Sequence, residues 1–589
     1  MDGLTSWNGA YGDVFPHRWV KKHNVKLGVY HDPEQQNHWK RLVESLLVRK
    51  NPYTAVPIID DPALAGIILV NEGGLAFLTC DGIPDVLKPS FIEWLKKKYG
   101  STKGLAADWK SELGAGESLE QNTIRFPDSN RESSRRMADT QQFFVDLERT
   151  TADWMTQHLR HIGYKGLVTA YDNWLSPAAH VSRSQFAWVD MHGYFSQPTE
   201  FVSSGSKMSQ GSMLEGGAKY IQQLAVSRQV GKAFTVSEYG QPFWNRHRRE
   251  SSLAGPVYAG FQQWDMICQH TDSAIDLSYA PKSPRKQAIR PFGIGLDPIA
   301  RAGETLAALL FLRGDIASAK HTLGIKLTPQ YAFYDNPPLS VIPQDVSRLG
   351  LVTGISLDWQ ANAEAAVTYD GFIEPSKASF GYVGKAIDHV GSKFGLGIEG
   401  RWASRVEAIR KSGLLPPANA TDPVKGTFQS DTGEITLDTQ RRRLAVITPN
   451  TEASVFDSDL PVTLSKLKIE AADGPALVSV SSMDGQPIGN SDRLLVILAT
   501  DAMNTGMRFA NADGVTLLDL GKLPVLLRTA RIRVFLAHQH PERLKLFSTT
   551  LAGKRMDIIP LERVPGGIRF VLDTNNLSHG ATTYFEITG

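Results

Sequence analysis

Over its first 315 residues this 589-residue chain alternates short apolar runs with amphipathic helical stretches. Residues 33–50 (PEQQNHWKRLVESLLVRK) place Trp39, Leu42, Val43, Leu46 and Leu47 on one helical face, and 140–162, 217–230 and 298–312 read the same way. Between them lie 65–70 (AGIILV), 166–170 (GLVTA), 186–191 (FAWVDM) and 233–237 (AFTVS). A strand that is apolar throughout is covered on both faces, and strands separated by helices pair in parallel through crossovers. Each run ends in polar or aromatic residues: NE, YDNW, HGYF and EYG. In a (β/α)8 barrel the C-terminal strand ends build the active site, so such endings are expected of an enzyme.

From about residue 320 the texture changes to short β-rich segments with turn signals, as in GEITLDTQRRRLAVITPN, RIRVFLAH and IRFVLDTNN. These read as one or two β-sandwich-like domains. A linker is expected at 414–422 (LLPPANATD) and an interposed helical piece at 384–411. The expected division is a barrel domain over 1–315, a β-rich and helical connecting region over 316–428, and a sandwich-like accessory domain over 429–589. With 63 basic and 61 acidic residues, the charge balance gives no support for a nucleic-acid or membrane-surface partner. No run of 18 apolar residues calls for a membrane span. Cys80 and Cys268 match no metal-site spacing, and neither a phosphate-binding glycine loop nor a zinc-type His pair occurs. No metal and no cofactor are expected.

Hydrolysis of a glycosidic bond needs two carboxylates across that bond, one to protonate the leaving oxygen and one to attack or to activate water. Glu72 follows a strand in DDPALAGIILVNEGG, and Glu238 follows one in GKAFTVSEYGQPF. Taken singly, each is as readily a structural carboxylate as a catalytic one, since acidic residues commonly follow strands.

Together the motifs resemble the clan A glycoside hydrolases, which are (β/α)8 barrels of cellulase-like and β-galactosidase-like type. Members carry Asn-Glu at the end of the fourth strand and a glutamate at the end of the seventh, and Asn71-Glu72 and Glu238 match both. His192-Gly193-Tyr194 fits the end of the sixth strand, and GFQQWD supplies Trp264 for the eighth. The resemblance covers about residues 1–315 and implies a retaining hydrolase acting on a β-linked oligo- or polysaccharide. Glu72 would be the acid/base, with a raised pKa, and Glu238 the nucleophile. Asn71 would bind the sugar 2-hydroxyl, Tyr194 would orient Glu238, and Trp264 would lie under the sugar. His192 is equally readable as a structural imidazole or a substrate contact. Asp172, Asn173, Trp174 and Trp244 are readable as cleft lining or as packing. The cluster NRHRRE (245–250) reads as a solvated loop face.

Counting back from Glu72, MDGLTSW would be only the tail of a third strand, so the barrel is expected to lack strands one, two and most of three. Either the native start lies further upstream, which would also account for the missing signal peptide, since most such hydrolases are exported to the periplasm or outside the cell, or the chain is a true fragment that would not close a barrel; the upstream start is the expectation. The competing reading is a barrel relic that binds carbohydrate without cleaving it.

Overall fold

The computed structural model describes residues 25–229, 231–270, 287–359, 369–375, 397–457 and 460–589. The MDGLTSW segment and the front of the 384–411 piece lie outside them.

The apolar runs of the first part become five parallel strands: β1 (Gly66–Ile68), β2 (Leu167–Thr169), β3 (Trp188–Tyr194), β4 (Ala233–Gly240) and β5 (Met266–Gln269). β1 pairs with β2, and β3, β4 and β5 pair in that order. The two groups are joined where the His192 N–H donates to the Asp172 carbonyl at 2.6 Å. Inside this curved sheet the Trp188 ring lies so close to Gly66 that a Cβ there would sit 2.4 Å away, so only glycine fits. The same indole donates to Thr235 Oγ1 at 2.7 Å and so ties three strands together.

Crossover helices cover the outside. Pro33–Leu47 is capped by Asp32, whose carboxylate accepts from the Glu34 N–H, with proline at the first turn. Ser134 caps Arg135–His161, which buries Phe143, Phe144, Met155 and Leu159 in one core with Leu69 and Val70. Helices Pro177–Arg183, Lys219–Ala225, Arg249–Phe261 and Pro298–Ala307 follow.

The next region differs from the sandwich-like structure expected from residue 320. β6 (Thr322–Leu327), β7 (Gly354–Trp359) and β8 (Gly371–Ile373) form a parallel sheet in the order β7-β6-β8. A short apolar run has the same periodicity whether its neighbour is parallel or antiparallel, so the sequence pattern could not separate the two.

Residues 427–588 form a nine-stranded and a five-stranded antiparallel sheet with two small ribbons. Val478, Val480, Val496 and Ile587 of the larger sheet share a core with Ile532, Val534 and Phe570 of the smaller. The opposite face of the larger sheet, through Leu477 and Ile497, shares a core with Leu253, Val257 and Leu306 of the outer helices. No helix among the described residues is long and apolar enough to cross a membrane.

Candidate active site

The C-terminal ends of β1 to β5 converge on one acidic cleft. Just past β1, Glu72 sits in the left-handed region at φ 49°, a conformation that costs a non-glycine residue energy and must be held by its surroundings. Its N–H donates to Asp172 Oδ1 at 2.7 Å. The loop after β2 is bent likewise, with Tyr171 at φ 67° and Trp174 at φ 77°. Buried Arg183 ties this loop down by donating to the carbonyls of Tyr171 (2.6 Å), Asn173 (2.9 Å) and Trp174.

β4 carries an irregularity that decides what faces the cleft. Against β3 the register runs from Asp190↔Thr235 to His192↔Glu238, and against β5 from Val236↔Ile267 to Tyr239↔Gln269. Both neighbours thus see one extra residue between Val236 and Tyr239. A bulge of this kind re-aims a side chain. Here Ser237 and Glu238 both reach the β3 side of the cleft instead of alternating.

His192 is the hub. Its Nδ1 lies 3.1 Å from Glu72 Oε1 and 3.5 Å from Glu238 Oε2, and its Nε2 lies 3.0 Å from Ser237 Oγ and 3.4 Å from Asp172 Oδ2. The Ser237 hydroxyl donates onward to Asp190 Oδ2 at 2.5 Å. With its own O–H committed to Asp190, Ser237 Oγ accepts from the ring, while Glu72 accepts from the other nitrogen. Both ring nitrogens therefore donate, and the ring is an imidazolium. Burial disfavours that charge, but Asp172, the Glu72 hydrogen bond, Glu238 and the Glu72 charge outweigh it and hold the pKa well above the usual histidine value. Burial pushes the Glu72 carboxyl up, yet the hydrogen bond and charge of His192, with Lys26 and His270, bring it below its ordinary value. This corrects the expectation of a raised Glu72 pKa: the resting proton is on His192.

Glu238 accepts from the Tyr194 hydroxyl at 2.5 Å and lies 3.6 Å from His270 Nδ1. Ligand-capable atoms of Glu72, His192 and Glu238 all lie within 4.8 Å of one another, as do those of Asp172, Asp190 and His192. Both sets have a donor composition suited to a divalent cation. Both nitrogens of His192 are already hydrogen-bonded, however, so ligation would first have to break the contact to Glu72 or to Ser237. Beside Glu238 a narrow cleft of about 20 Å³ is lined by Tyr194, Tyr239, Phe243, His270 and Phe292. Phe292 stands 5.3 Å from the Tyr194 ring and 5.5 Å from His270, an aromatic wall next to the carboxylates.

Of the residues singled out from sequence, Glu72, Asn173, His192, Tyr194 and Glu238 come together, with Asn173 Nδ2 donating to Glu72 Oε1 at 3.2 Å. Asn71 is half-buried beside Glu72. The three tryptophans do not join them. Trp264 precedes β5 and packs edge-on against Phe234 at 5.6 Å. Phe234 lies four residues before Glu238 on β4, roughly 13 Å away at about 3.3 Å per residue, so Trp264 belongs to the opposite end of the strands. Trp174 is buried against Phe77 and Leu339 and donates its indole N–H to the Pro338 carbonyl at 2.7 Å. Trp244 is buried 6.5 Å from Phe509 of the β-rich part. Most of the 245–250 cluster is likewise buried rather than solvated: Asn245, Arg248, Arg249 and Glu250 are each at most 5% exposed, His247 is half-buried, and only Arg246 of the six is exposed. Asp190, Ser237, Arg183, His270 and Phe292 were missed. Asp190 and Ser237 stood inside apolar runs, where a polar residue facing a cleft is a usable signal; the others carry none.

No protein-family model matches the chain, and no curated protein matches it. Among solved structures it is similar to a polyextremophilic β-galactosidase from the Antarctic haloarchaeon Halorubrum lacusprofundi, at 13% identity over 95% of this chain and 83% of that one, with a TM-score of 0.37. A β-galactosidase from Bacillus circulans sp. alkalophilus aligns at 12% identity over 95% and 83%, with a TM-score of 0.39. One from the psychrophilic Marinomonas ef1 aligns at 11% over 95% and 84%, with a TM-score of 0.38.

Proposed function

We propose that the chain is a retaining glycoside hydrolase of clan A type, cleaving β-linked oligo- or polysaccharide, with β1 to β5 as the fourth to eighth strands of the barrel. The observation that carries this reading is the closeness of two carboxylates: one oxygen of Glu72 and one of Glu238 lie within 4.8 Å of each other. Retaining enzymes hold their carboxyl groups about 5–5.5 Å apart, whereas inverting enzymes leave roughly 6.5–9.5 Å for a water.

Glu238 attacks the anomeric carbon as the bond to the leaving oxygen breaks. Tyr194 orients it, and His192 and His270 stand 3.5 and 3.6 Å from it. The leaving oxygen takes a proton from Glu72, which Glu72 draws from His192 Nδ1 across the 3.1 Å contact. Water then attacks the glycosyl-enzyme, gives its proton to Glu72 and frees Glu238. The carboxylates of Asp172 and Asp190 keep the imidazole charged between turnovers.

Turnover of aryl β-glycosides tests the assignment. Glu238→Gln is expected to abolish turnover, by a factor on the order of 10⁴ or more, while leaving binding intact. Glu72→Gln should hurt most where the leaving group is poor, because an activated phenol departs without protonation. Normal turnover in both variants, or wild-type protein that binds sugar and never cleaves it, would sink the assignment and leave the carbohydrate-binding reading.

A further inference from the structure

The turn that carries Glu72 is held by a buried group the reaction does not use. Glu148 lies in the middle of helix Arg135–His161 and is 4% exposed. Its Oε1 accepts from the Leu75 N–H at 2.6 Å, and its Oε2 accepts from the Ser182 hydroxyl. The backbone carbonyl of Glu148 accepts from the Tyr171 hydroxyl at 2.5 Å. Between the two ends of the turn, Tyr30 donates to the Gly73 carbonyl at 2.6 Å. Residues 72–75 therefore hang between two buried carboxylates, Asp172 on the Glu72 N–H and Glu148 on the Leu75 N–H, with Tyr30 on the carbonyl between.

Resting on the hydrolase reading, we propose that Glu148 is a positioning residue that holds Glu72 in its left-handed conformation, so that its carboxyl meets both His192 and the leaving oxygen. Left-handed backbone at a glutamate is unfavourable in isolation and persists only where the surroundings over-determine it. The Glu148 bond is one of three that do so here, and the only one supplied from the long helix.

Burial pushes the Glu148 carboxyl up to about 7, against the pull of Ser182, the Leu75 N–H and Arg183. The groups facing it are Ser182 and Arg183 from helix Pro177–Arg183, Tyr171 from the loop after β2, Tyr30 ahead of helix Pro33–Leu47, and the 73–75 backbone. A carboxyl whose folded pKa lies above its unfolded value, about 4.3, contributes stability that is complete below the unfolded pKa and lost as pH rises through the folded one.

Three variants of the full chain test this: Glu148→Gln, Glu148→Leu and Ser182→Ala. Each is assayed with one aryl glycoside bearing an activated leaving group and one bearing a poor one, and amide exchange is followed across residues 70–79. Glu148→Gln keeps an acceptor for Leu75, so the leaving-group dependence should stay at the wild-type level, and the fall in Tm between about pH 5 and pH 8 should shrink. Glu148→Leu removes the acceptor. It should lose roughly ten- to a hundredfold in kcat on the poor leaving group, change little on the activated one, leave KM unmoved, and lose exchange protection at 70–79. If Glu148→Leu does not fold, Ser182→Ala is expected to give the same selective loss in weaker form. Equal loss on both substrates, or unchanged protection at 70–79, overturns the positioning role. Protection that falls as expected in a protein whose wild type cleaves neither glycoside would overturn the hydrolase reading instead.

Discussion

At the scale of single residues the site is organised by one proton. Four carboxylates, Glu72, Asp172, Asp190 and Glu238, lie within 3.9 Å of the His192 ring nitrogens, so the imidazolium lowers the electrostatic cost of each of them. Replacing His192 with Gln should therefore move the alkaline limb of kcat/KM to lower pH. The wild-type Glu72–His192 pair keeps its proton up to a pKa held well above the ordinary histidine value, whereas the variant keeps it only as long as a carboxyl can. A pH–rate profile reads this directly, and an unmoved limb would remove His192 from the proton path. The same shift makes His192 a source of stability that is complete below about pH 6.5 and lost as pH rises through the higher folded value. Glu72, Glu238 and Tyr194 were legible in the sequence because each follows an apolar run that had to be a strand. The tryptophans misled, because an aromatic near a strand end satisfies a core and a sugar platform equally well. Glu148 was invisible: its partners Leu75 and Ser182 stand 73 and 34 residues away, and no local pattern links them.

At the scale of elements, the extra residue in β4 is what lets a serine and a glutamate that are adjacent in sequence share one cleft. Deleting Ser237 should restore strict alternation with Glu238 still opposite His192, since Thr235 and Glu238 would then stand two apart as Asp190 and His192 do, and should remove only the hydroxyl that links His192 to Asp190. The expected product is a folded protein that keeps turnover but has the alkaline limb of its pH–rate profile moved to lower pH, because the charged His192 loses its Ser237 acceptor; circular dichroism checks the fold, and turnover lost as in Glu238→Gln would show that the extra residue is what aims Glu238. Nothing in AFTVSEYG announces the bulge, because two-residue periodicity is blind to one inserted residue until the neighbouring strands are known. The polar stretch 111–136, readable as an ordinary surface insertion, is instead pinned by a buried ion pair. Glu117 accepts from Arg136 Nη1 and Nη2 at 2.9 and 2.5 Å and from the Gly114 and Arg125 N–H groups. Burial raises the Glu117 pKa, but these contacts win and bring it down to about 2. This contribution is present above the unfolded carboxyl pKa of about 4.3 and is lost as pH falls toward 2. Arg136→Met leaves that buried carboxylate with only the outlying Arg125, 3.5 Å away and largely exposed, as a charge partner, and should cost about 3 kcal/mol of stability at neutral pH, measurable by urea denaturation.

At the scale of the whole molecule, the buried Arg248 and Arg249 fasten the parallel-strand part to the β-rich part. Arg248 meets Asp297 at 2.7 Å and Asp501 at 2.5 Å, and donates to the Ala502 carbonyl at 2.9 Å. Arg249 meets Asp457 at 3.1 Å. Arg248→Met should strand two acidic groups in the contact and cost about 3–5 kcal/mol. Calorimetry should then show two unfolding transitions where the intact joint is expected to give one. A run of charges in a sequence reads as solvated surface until the partner that covers it is known, and that partner lies more than 200 residues further along the chain. Strand Ala476–Ser482 shows how deep the joint runs, since all seven of its residues are buried. Ala476, Val478 and Val480 face the core between the two antiparallel sheets, and Leu477 faces the core shared with helices Arg249–Phe261 and Pro298–Ala307. For a lineage this makes the gene a single heritable block. A crossover placed near residue 429 would hand one descendant a parallel-strand part with an uncovered apolar flank and the other a sheet greasy on its outer side. Both invite aggregation, so a viable exchange would have to carry the two parts together.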